Sequence, residues 1–204
     1  MLGTLSASPI AFLFYALALV VAITIHEFAH ALAADKLGDP TPRSQGRLTL
    51  NPLAHLDPLG TLALLLIRFG WGKPVQFDPY NLRHPRRDAA FISLAGPASN
   101  LALAFFLSAL LNFTSPNYLL ITLYQILITM NIVLAVFNLV PVYPLDGEKI
   151  LTGLLSPRIA AEYQGVMHRY GTIILIFLLL PLGGVSPISS LISPAIAALT
   201  NLLL

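Results

Sequence analysis

The sequence predicts an all-α polytopic membrane protein: a helical bundle of about four to six transmembrane or re-entrant segments, with a small β-like element. Of its 204 residues, 56% are hydrophobic and only 10% are charged, whereas soluble domains carry about 25% charged residues. Apolar stretches long enough to cross a bilayer alternate with short segments that hold nearly all of the basic residues.

The composition also limits the function classes. No long polar stretch is present from which a separate soluble domain could be built, so residues 1–204 are expected to form a single integral-membrane domain. The formal net charge of +2 is too small to indicate nucleic-acid binding. Because the chain has no cysteine, disulfides and thiolate metal sites are excluded, and a metal ion would need His, Asp or Glu ligands, which suit zinc.

Four apolar stretches are candidate membrane spans, at residues 10–34, 88–111, 118–141 and 170–204. Each reaches the length of about 20 mostly apolar residues that a span needs. The fourth is too long for one plain span. Its "PLGGVSPISS" sequence at 181–190 predicts a break between a span and a short return helix.

The segment from Leu48 to Trp71 does not fit a plain span. It opens with "LTLNPLAHLDPLG", whose Asn-Pro and Asp-Pro steps mark turns. We expect a β-like or re-entrant element here. The alternating "GRLTL" at 46–50 and the "KPVQF" sequence at 73–77 are compatible with short strands.

The distribution of basic residues predicts the orientation in the membrane. The N-terminal flank and the loop at 112–117 carry no charge, whereas three other connections are basic. By the positive-inside rule the N-terminus lies outside, and these three connections are cytoplasmic in a prokaryotic cell membrane. Their basic residues are Lys36, Arg43, Arg47, Lys73, Arg83, Arg86, Arg87, Lys149, Arg158 and Arg169.

The first apolar stretch contains a candidate metal motif, "HEFAH" at residues 26–30. Because residues four apart share a helical face, His26 and His30 can direct both imidazoles at one ion. Glu27 lies about 100° further round the helix, where it can reach a metal-bound water as general base without binding the metal. The alternative is a polar stripe lining a helix interface, but ionisable residues inside a membrane favour a functional site.

A catalytic zinc site needs a third protein ligand from elsewhere in the chain. Most acidic residues outside the motif lie in charged loop sequence and are interpreted as solvated groups. Asp146 differs because it follows the third span in "FNLVPVYPLDGEKI", where Pro141 and Pro144 prevent a regular helix and Gly147 permits a sharp turn. The segment either returns Asp146 to the metal or is an ordinary exit loop with an exposed turn aspartate.

Together these motifs resemble the site-2 protease family of intramembrane zinc metalloproteases, in the form of its compact prokaryotic members. The resemblance covers about residues 10–155 and rests on "HEFAH", on "AGPASN" at 95–100 and on "NLVPVYPLDG" at 138–147. It implies one Zn²⁺ held by His26, His30 and Asp146, with Glu27 as the catalytic base.

The resemblance also implies roles for residues beyond the metal ligands. Asn138 and Pro144 would shape the active-site region, and Asn100 would hold the substrate carbonyl or a residue beside the ligands. For both asparagines the alternative is helix–helix hydrogen bonding, which polar residues commonly supply in membranes. His55 is interpreted as a polar side chain near the interface rather than as a fourth ligand.

The expected function is hydrolysis of peptide bonds in transmembrane protein substrates, the chemistry of regulated intramembrane proteolysis. Substrate proteins and membrane lipid are the expected partners, and the oligomeric state stays open. An exposed strand edge near Leu48 or Val75 could hold an unwound substrate by strand addition. Two alternatives remain: a non-catalytic membrane chaperone or regulator that retains the protease fold, and a zinc or proton transporter.

Overall fold

The computed structural model describes residues 9–60, 71–114, 116–181 and 183–204. These residues are predominantly α-helical. In chain order the helices are α1 (Pro9–Leu37), α2 (Thr41–Ser44), α3 (Pro85–Phe113), α4 (Tyr118–Asn138), α5 (Asp146–Leu154), α6 (Pro157–Leu179) and α7 (Pro187–Leu203). Two short 3₁₀ helices, Pro52–Ala54 and Pro79–Asn81, lie between α2 and α3.

Helices α1, α3 and α4 are long and apolar enough to cross a membrane. They contain 29, 29 and 21 residues, which at a rise of 1.5 Å per residue gives lengths of about 30–44 Å. The first three predicted spans are therefore confirmed, with ends that move by a few residues. The chain is therefore an integral membrane protein, as its apolar composition predicted.

Helix α3 is central, because it packs against both α1 and α4, and α1 also contacts α4. The packed faces of these helices are rich in small residues, which allow close approach where lipid supplies no hydrophobic driving force. Fully buried alanines on the three helices are Ala18, Ala22, Ala31, Ala34, Ala104 and Ala135. This close packing is what allows side chains of different helices to meet inside the membrane-spanning part.

The remaining helices pack around this three-helix group. Helix α5 packs on α3, and α7 packs on α4. Between α4 and α5, Val140, Val142 and Leu145 are buried together with Ile188 of α7. These apolar anchors hold an otherwise irregular connection in a fixed position.

The fourth predicted span divides differently from the expectation. Helix α6 begins at Pro157 rather than near Tyr170, because its first turns are a polar, exposed helix in which Arg158 pairs with Glu162 four residues on. The predicted break is confirmed: α6 ends at Leu179, and α7 starts at Pro187 after two glycines with positive φ, Gly183 and Gly184.

The β-like element is not confirmed. No strand is present at residues 46–50 or 73–77, and the pairing seen near them is one antiparallel bridge between Leu56 and Gly72. Here the Lys73 N–H donates to the His55 carbonyl over 2.8 Å. The expected re-entrant piece falls partly on residues 61–70, which lie outside the described residues.

Three carboxylates that the sequence suggested were solvated are in fact buried. Asp39, Asp88 and Glu148 are 0%, 6% and 1% exposed. Each accepts a hydrogen bond from a neighbouring segment or turn, Asp88 from the His84 N–H and Glu148 from the Thr152 hydroxyl. A polar loop sequence predicts that its carboxylates are solvated on average. It does not reveal which of them is buried and hydrogen-bonded to nearby groups.

Asp39 fastens the end of α1 to the segments that follow it. Its carboxylate accepts hydrogen bonds from the Thr41 N–H and hydroxyl, from the Asn81 side-chain amide and from the Asp78 N–H, at 2.6–3.0 Å. Burial alone would raise the pKa of Asp39, but these donors outweigh it and the pKa lies below its ordinary value. Ionised Asp39 therefore stabilises the fold above the unfolded pKa of about 3.9, and this stability is lost as the pH falls through the lower, folded pKa.

Replacing Asp39 with Asn is expected to lower the free energy of unfolding at neutral pH by about 1–3 kcal/mol, since the amide cannot satisfy all of these donors. The loss relative to wild type should shrink as the pH falls below about 4, where the wild-type carboxylate also becomes protonated. Thermal unfolding in detergent over this pH range measures both effects. Glu162→Gln is the control, because Arg158 and Glu162 are 91% and 67% exposed and exposed pairs contribute little; equal losses in both variants would refute the assignment.

Candidate metal centre

Helix α1 places the two histidines of the sequence motif side by side. His26 and His30 are only 5% and 6% exposed. Their ring centroids are 4.5 Å apart, with the ring planes nearly perpendicular. As the four-residue spacing predicts, both imidazoles lie on the face of α1 that turns toward α3.

Asp146 meets this pair from a distant part of the chain. It is the first residue of α5, and the anchored connection after α4 brings it to the two rings. One carboxylate oxygen, Oδ2, lies 3.0 Å from His26 Nε2 and 3.2 Å from His30 Nε2. The segment therefore returns Asp146 to the two histidines and is not an ordinary exit loop. The three side chains form a cluster that could hold a metal ion.

Gly147 follows Asp146 for a reason other than the one expected. It lies within α5, not at a sharp turn. A Cβ at this position would come within 2.3 Å of the Leu139 carbonyl oxygen and 2.4 Å of the Val140 carbonyl oxygen. The glycine is therefore required because the connection passes directly over the start of α5, and this close approach positions Asp146.

The outward-facing nitrogens of both rings are hydrogen-bonded, which determines what the inward-facing nitrogens can do. His30 Nδ1 lies 2.7 Å from the carbonyl oxygen of Ile92, which can only accept. His26 Nδ1 lies 2.6 Å from Asn100 Oδ1. Both Nδ1 atoms must therefore carry the proton, which leaves an Nε2 lone pair on each ring directed at the shared point near Asp146.

The orientation of the Asn100 amide is itself determined by its surroundings. Its Nδ2 donates to the Ala22 carbonyl over 3.0 Å and to Asn131 Oδ1 over 2.8 Å, so its Oδ1 must face His26. The Asn131 Nδ2 in turn donates to the Leu127 carbonyl over 2.8 Å. Asn100 and Asn131 are both fully buried, so this chain of amides links α4, α3 and α1 behind the metal cluster.

Asn131 is a residue that the sequence interpretation missed. An isolated asparagine in an apolar span is usually a helix–helix contact, and nothing in its local sequence distinguishes a contact that orients a histidine. Only the spacing from Asn138, two helical turns further on the same helix, hinted that the same face was polar.

Replacing Asn131 with Leu is expected to weaken zinc binding by about 10–100-fold, the usual cost of losing a partner behind a metal ligand. The leucine would leave one Asn100 N–H without an acceptor and free the amide to turn its nitrogen toward His26. Competition with a zinc chelator measures the affinity. Asn112→Ala is the matched control, because Asn112 makes the same backbone contact within its own helix, 3.0 Å from the Ser108 carbonyl; equal affinities for the Asn131→Leu protein and the control would contradict the role of Asn131.

Gly96 lets α3 pass directly over the histidine rings. A Cβ at this position would lie 2.4 Å from His30 Nε2 and 2.7 Å from His26 Cε1. The next residue, Pro97, lies inside α3 and is buried. The sequence left open whether Gly96-Pro97 is only a kink with close packing; close packing is present, and it lies against the metal cluster itself.

Glu27 lies beside the cluster. A backbone hydrogen bond from the segment after residue 70 fixes the position of its side chain. Its Oε2 accepts a hydrogen bond from the Val75 N–H over 2.8 Å, while Oε1 accepts none from the described residues. The side chain is 12% exposed. The Val75 N–H is used in this way and is therefore not free to bond a substrate backbone, whereas strand addition elsewhere near Leu48 or Val75 stays a prediction.

Arg47 is a second residue that the sequence interpretation missed. It is 4% exposed, and its guanidinium donates to the carbonyls of Ala54 and Lys73, with Nη2 also 3.9 Å from Glu27 Oε2. From sequence it counted only as one of the basic residues that set the orientation. It instead joins the loop after α2 to the segment around Val75 and places a positive charge next to Glu27.

The other residues that the sequence singled out form no hydrogen bond with His26, His30 or Asp146 within the described part of the chain. Asn138 Nδ2 donates to the Leu134 carbonyl of its own helix over 3.0 Å. Pro144 is exposed in the connection before α5, where the Tyr143–Pro144 peptide bond is cis. His55 is fully buried, with Nε2 2.7 Å from the Thr49 carbonyl, and it is not part of the cluster of possible metal ligands.

The donor set fits a zinc ion. Zinc commonly takes two imidazole nitrogens and a carboxylate oxygen at about 2.0–2.2 Å, which in a tetrahedral site puts ligand atoms roughly 3.3 Å apart. The observed separations of 3.0 and 3.2 Å from Asp146 Oδ2 are close to this. Three protein ligands also leave one position open for chemistry, as in catalytic rather than structural zinc sites.

Comparisons with known proteins agree with this arrangement. The sequence model of Peptidase family M50 matches residues 114–182. Over 175 residues the chain is 42% identical to "Putative zinc metalloprotease YwhC" of Bacillus subtilis (strain 168), which covers 81% of this chain and 80% of that protein. The chain belongs to peptidase family M50, the site-2 protease family. The resemblance seen in the sequence is thereby confirmed.

Two further relatives are longer than this chain. They are named "Putative zinc metalloprotease Rip2", from Mycolicibacterium smegmatis and from Mycobacterium tuberculosis (strain ATCC 25618 / H37Rv). The identities are 32% over 172 residues and 33% over 168 residues, covering 79% and 78% of this chain. The matches span 64% and 62% of those proteins, less than two thirds of their length. No solved structure matches the chain at a significant level.

Proposed function

We propose that this M50 family member is an intramembrane zinc metalloprotease that hydrolyses peptide bonds of transmembrane protein substrates. The observation that carries the proposal is the convergence of His26 Nε2, His30 Nε2 and Asp146 Oδ2 on one point inside the bundle, with the Glu27 carboxylate beside it. The relatives named as zinc metalloproteases favour the same ion and the same reaction class.

The side chains would divide the chemistry between them. His26, His30 and Asp146 would hold Zn²⁺, which when bound polarises a carbonyl and makes water a nucleophile at neutral pH. Glu27 takes a proton from the attacking water and later returns it to the leaving amine, as general base and then general acid. The Val75 N–H and Arg47 fix the Oε2 end of Glu27, which leaves Oε1 to exchange the proton.

The two asparagines that the family resemblance brings forward would have different roles. Both N–H groups of Asn100 are already donated, to Ala22 and to Asn131. Asn100 therefore cannot also hold a substrate carbonyl, and its role is to orient His26. Asn138 has only one N–H engaged, which leaves the other able to donate to the oxyanion that forms during attack.

The orientation follows from the basic connections. The N-terminus of α1 lies outside and the site opens toward the cytoplasmic side. His26 is 11 residues before the end of α1 at Leu37, which is about 16 Å along the helix. A substrate helix would have to unwind to present its backbone at that depth, so the scissile bond would lie within or next to a transmembrane segment.

The proposal is tested with the purified chain in proteoliposomes and a panel of single-span proteins. Cleavage should stop when a chelator removes the metal and return when Zn²⁺ is added back. A non-catalytic chaperone predicts no cleavage with zinc bound, and a transporter predicts zinc flux across the bilayer without cleavage. Either of these results, or a cleavage rate that the chelator does not change, would contradict the assignment as a zinc protease.

A further inference from the structure

A cavity between the end of α1 and the start of α3 lies outside the candidate metal centre. Its volume is about 470 Å³, which is within the range of roughly 300–1,000 Å³ typical of small-molecule sites. The charged residues that line it are Lys36 from α1 and Arg83, Arg87 and Asp88 from around the start of α3, and apolar wall is supplied by Leu37 and Phe91.

The three cations of this cavity carry positive charge that no ion pair neutralises within the described part of the chain. No carboxylate of the described residues forms an ion pair with Lys36, Arg83 or Arg87, whereas Arg43 pairs with Asp35 and Arg158 pairs with Glu162. Positive charge that is not neutralised inside a concave site attracts an anion, because the low-dielectric walls focus the field.

Asp88 does not cancel this charge. It is 6% exposed, and its Oδ2 accepts the His84 N–H over 2.8 Å. The carboxylate thus fixes the turn that precedes α3, which holds Arg83 and Arg87 on the same side. Three cations face one carboxylate that is already engaged.

The apolar wall provides a surface that could contact a hydrocarbon chain next to the cations. Phe91 follows Arg87 by one helical turn, and the Arg87 guanidinium lies 5.3 Å from the centroid of its ring. Phe91 is 48% exposed, on a helix that spans the membrane. The cations therefore lie at the end of the span and the aromatic surface lies on the bilayer side of them, an order that matches a phosphate head group followed by an acyl chain.

We infer that this cavity binds a phosphate group, carried by an anionic phospholipid whose acyl chain follows Phe91. Basic pockets between transmembrane helices at the membrane surface recognise anionic head groups, and the arginines supply the planar donors that phosphate accepts. The site is independent of the metal centre, so the inference does not rest on the proposed protease activity.

Native mass spectrometry of the full chain in neutral detergent tests the inference. The protein is titrated with phosphatidylglycerol, with phosphatidylcholine, and with inorganic phosphate as competitor. Wild type should bind phosphatidylglycerol at least tenfold more tightly than phosphatidylcholine. A triple variant, Lys36→Gln with Arg83→Gln and Arg87→Gln, should lose this preference, since each basic residue near an anionic lipid contributes about fivefold.

A matched variant removes equal charge elsewhere: Lys73→Gln with Arg158→Gln and Arg169→Gln should keep the preference. Weak competition by phosphate supports the lipid, and strong competition supports a soluble phosphate ligand in the same pocket. Equal binding of the two lipids by wild type, or equal binding by the two triple variants, overturns the inference. If the first triple variant unfolds, Arg83→Gln alone, whose side chain is exposed, should still reduce binding several-fold, and an unchanged affinity would count against the site.

Discussion

Glu27→Gln is expected to lower peptide-bond cleavage by about 10²–10⁴-fold, the usual contribution of a general base. Zinc content should stay at the wild-type level, because Glu27 is not one of the three clustered ligands. The glutamine can still accept the Val75 N–H through its amide oxygen, so the local backbone should be preserved. Initial cleavage rates of a single-span substrate, with zinc measured by elemental analysis of the same sample, give both quantities.

The control for this variant is Glu162→Gln on α6. Glu162 is 67% exposed, and within the described residues its ion pair is with Arg158 alone, so cleavage and zinc content should be those of wild type. Full cleavage by the Glu27→Gln protein would remove the general base from the mechanism. Loss of zinc in that protein would instead show that Glu27 binds the metal, contrary to the role assigned to it.

Gly96→Ala is expected to abolish both zinc binding and cleavage. The added methyl group would come within 2.4–2.7 Å of atoms of both histidine rings, so the rings or the helix α3 must move. Elsewhere a change from Gly to Ala in a helix is favourable by about 1 kcal/mol, so any loss must come from the contact with the rings. Zinc stoichiometry of the purified variant is the direct measurement.

Gly165→Ala provides the matched substitution. Gly165 lies in α6, and nothing lies within 4 Å of the position that its Cβ would take. This variant should retain zinc and activity and be slightly more stable than wild type. A Gly96→Ala protein that binds one zinc as tightly as the Gly165→Ala protein would contradict the packing described for α3 against α1.

The metal cluster was largely predictable because it depends on short-range rules. The four-residue spacing of His26 and His30 fixes their common face wherever α1 forms. Asp146 was harder, since its approach depends on three apolar residues of the preceding connection being buried against α7. The prolines predicted an irregular segment, but only the family resemblance indicated where that segment would go.

The residues behind the cluster were not predictable, for two physical reasons. Asn131 acts through Asn100 across two helix interfaces, and the relative rotation of three apolar helices cannot be derived from their composition. Arg47 lies in a polar connection, where an arginine is usually exposed. Here it is buried, because two backbone carbonyls from different segments accept its hydrogen bonds. Long-range satisfaction of polar groups leaves no local pattern in the sequence.

The sequence predicted the long apolar helices correctly, but it did not predict the start of α6 or the structure of the short connections. Hydropathy identified α1, α3 and α4, because a bilayer imposes a minimum length on every span. It misplaced the start of α6, where a polar helix continues into an apolar one without a change in backbone conformation. The suggested strands depended on alternation over five residues, which is too short to distinguish a strand from an extended connection.

The central claim is that one zinc ion is held by two imidazoles of α1 and the carboxylate that begins α5. X-ray absorption at the zinc edge, on wild type and on Asp146→Ala, tests it directly. Wild type should contain one zinc per chain with two imidazole nitrogens and oxygen ligands at about 2.0–2.2 Å, and Asp146→Ala should lose the ion or one carboxylate from its coordination shell. Wild-type protein that takes up no zinc, or a spectrum unchanged by Asp146→Ala, would contradict the account.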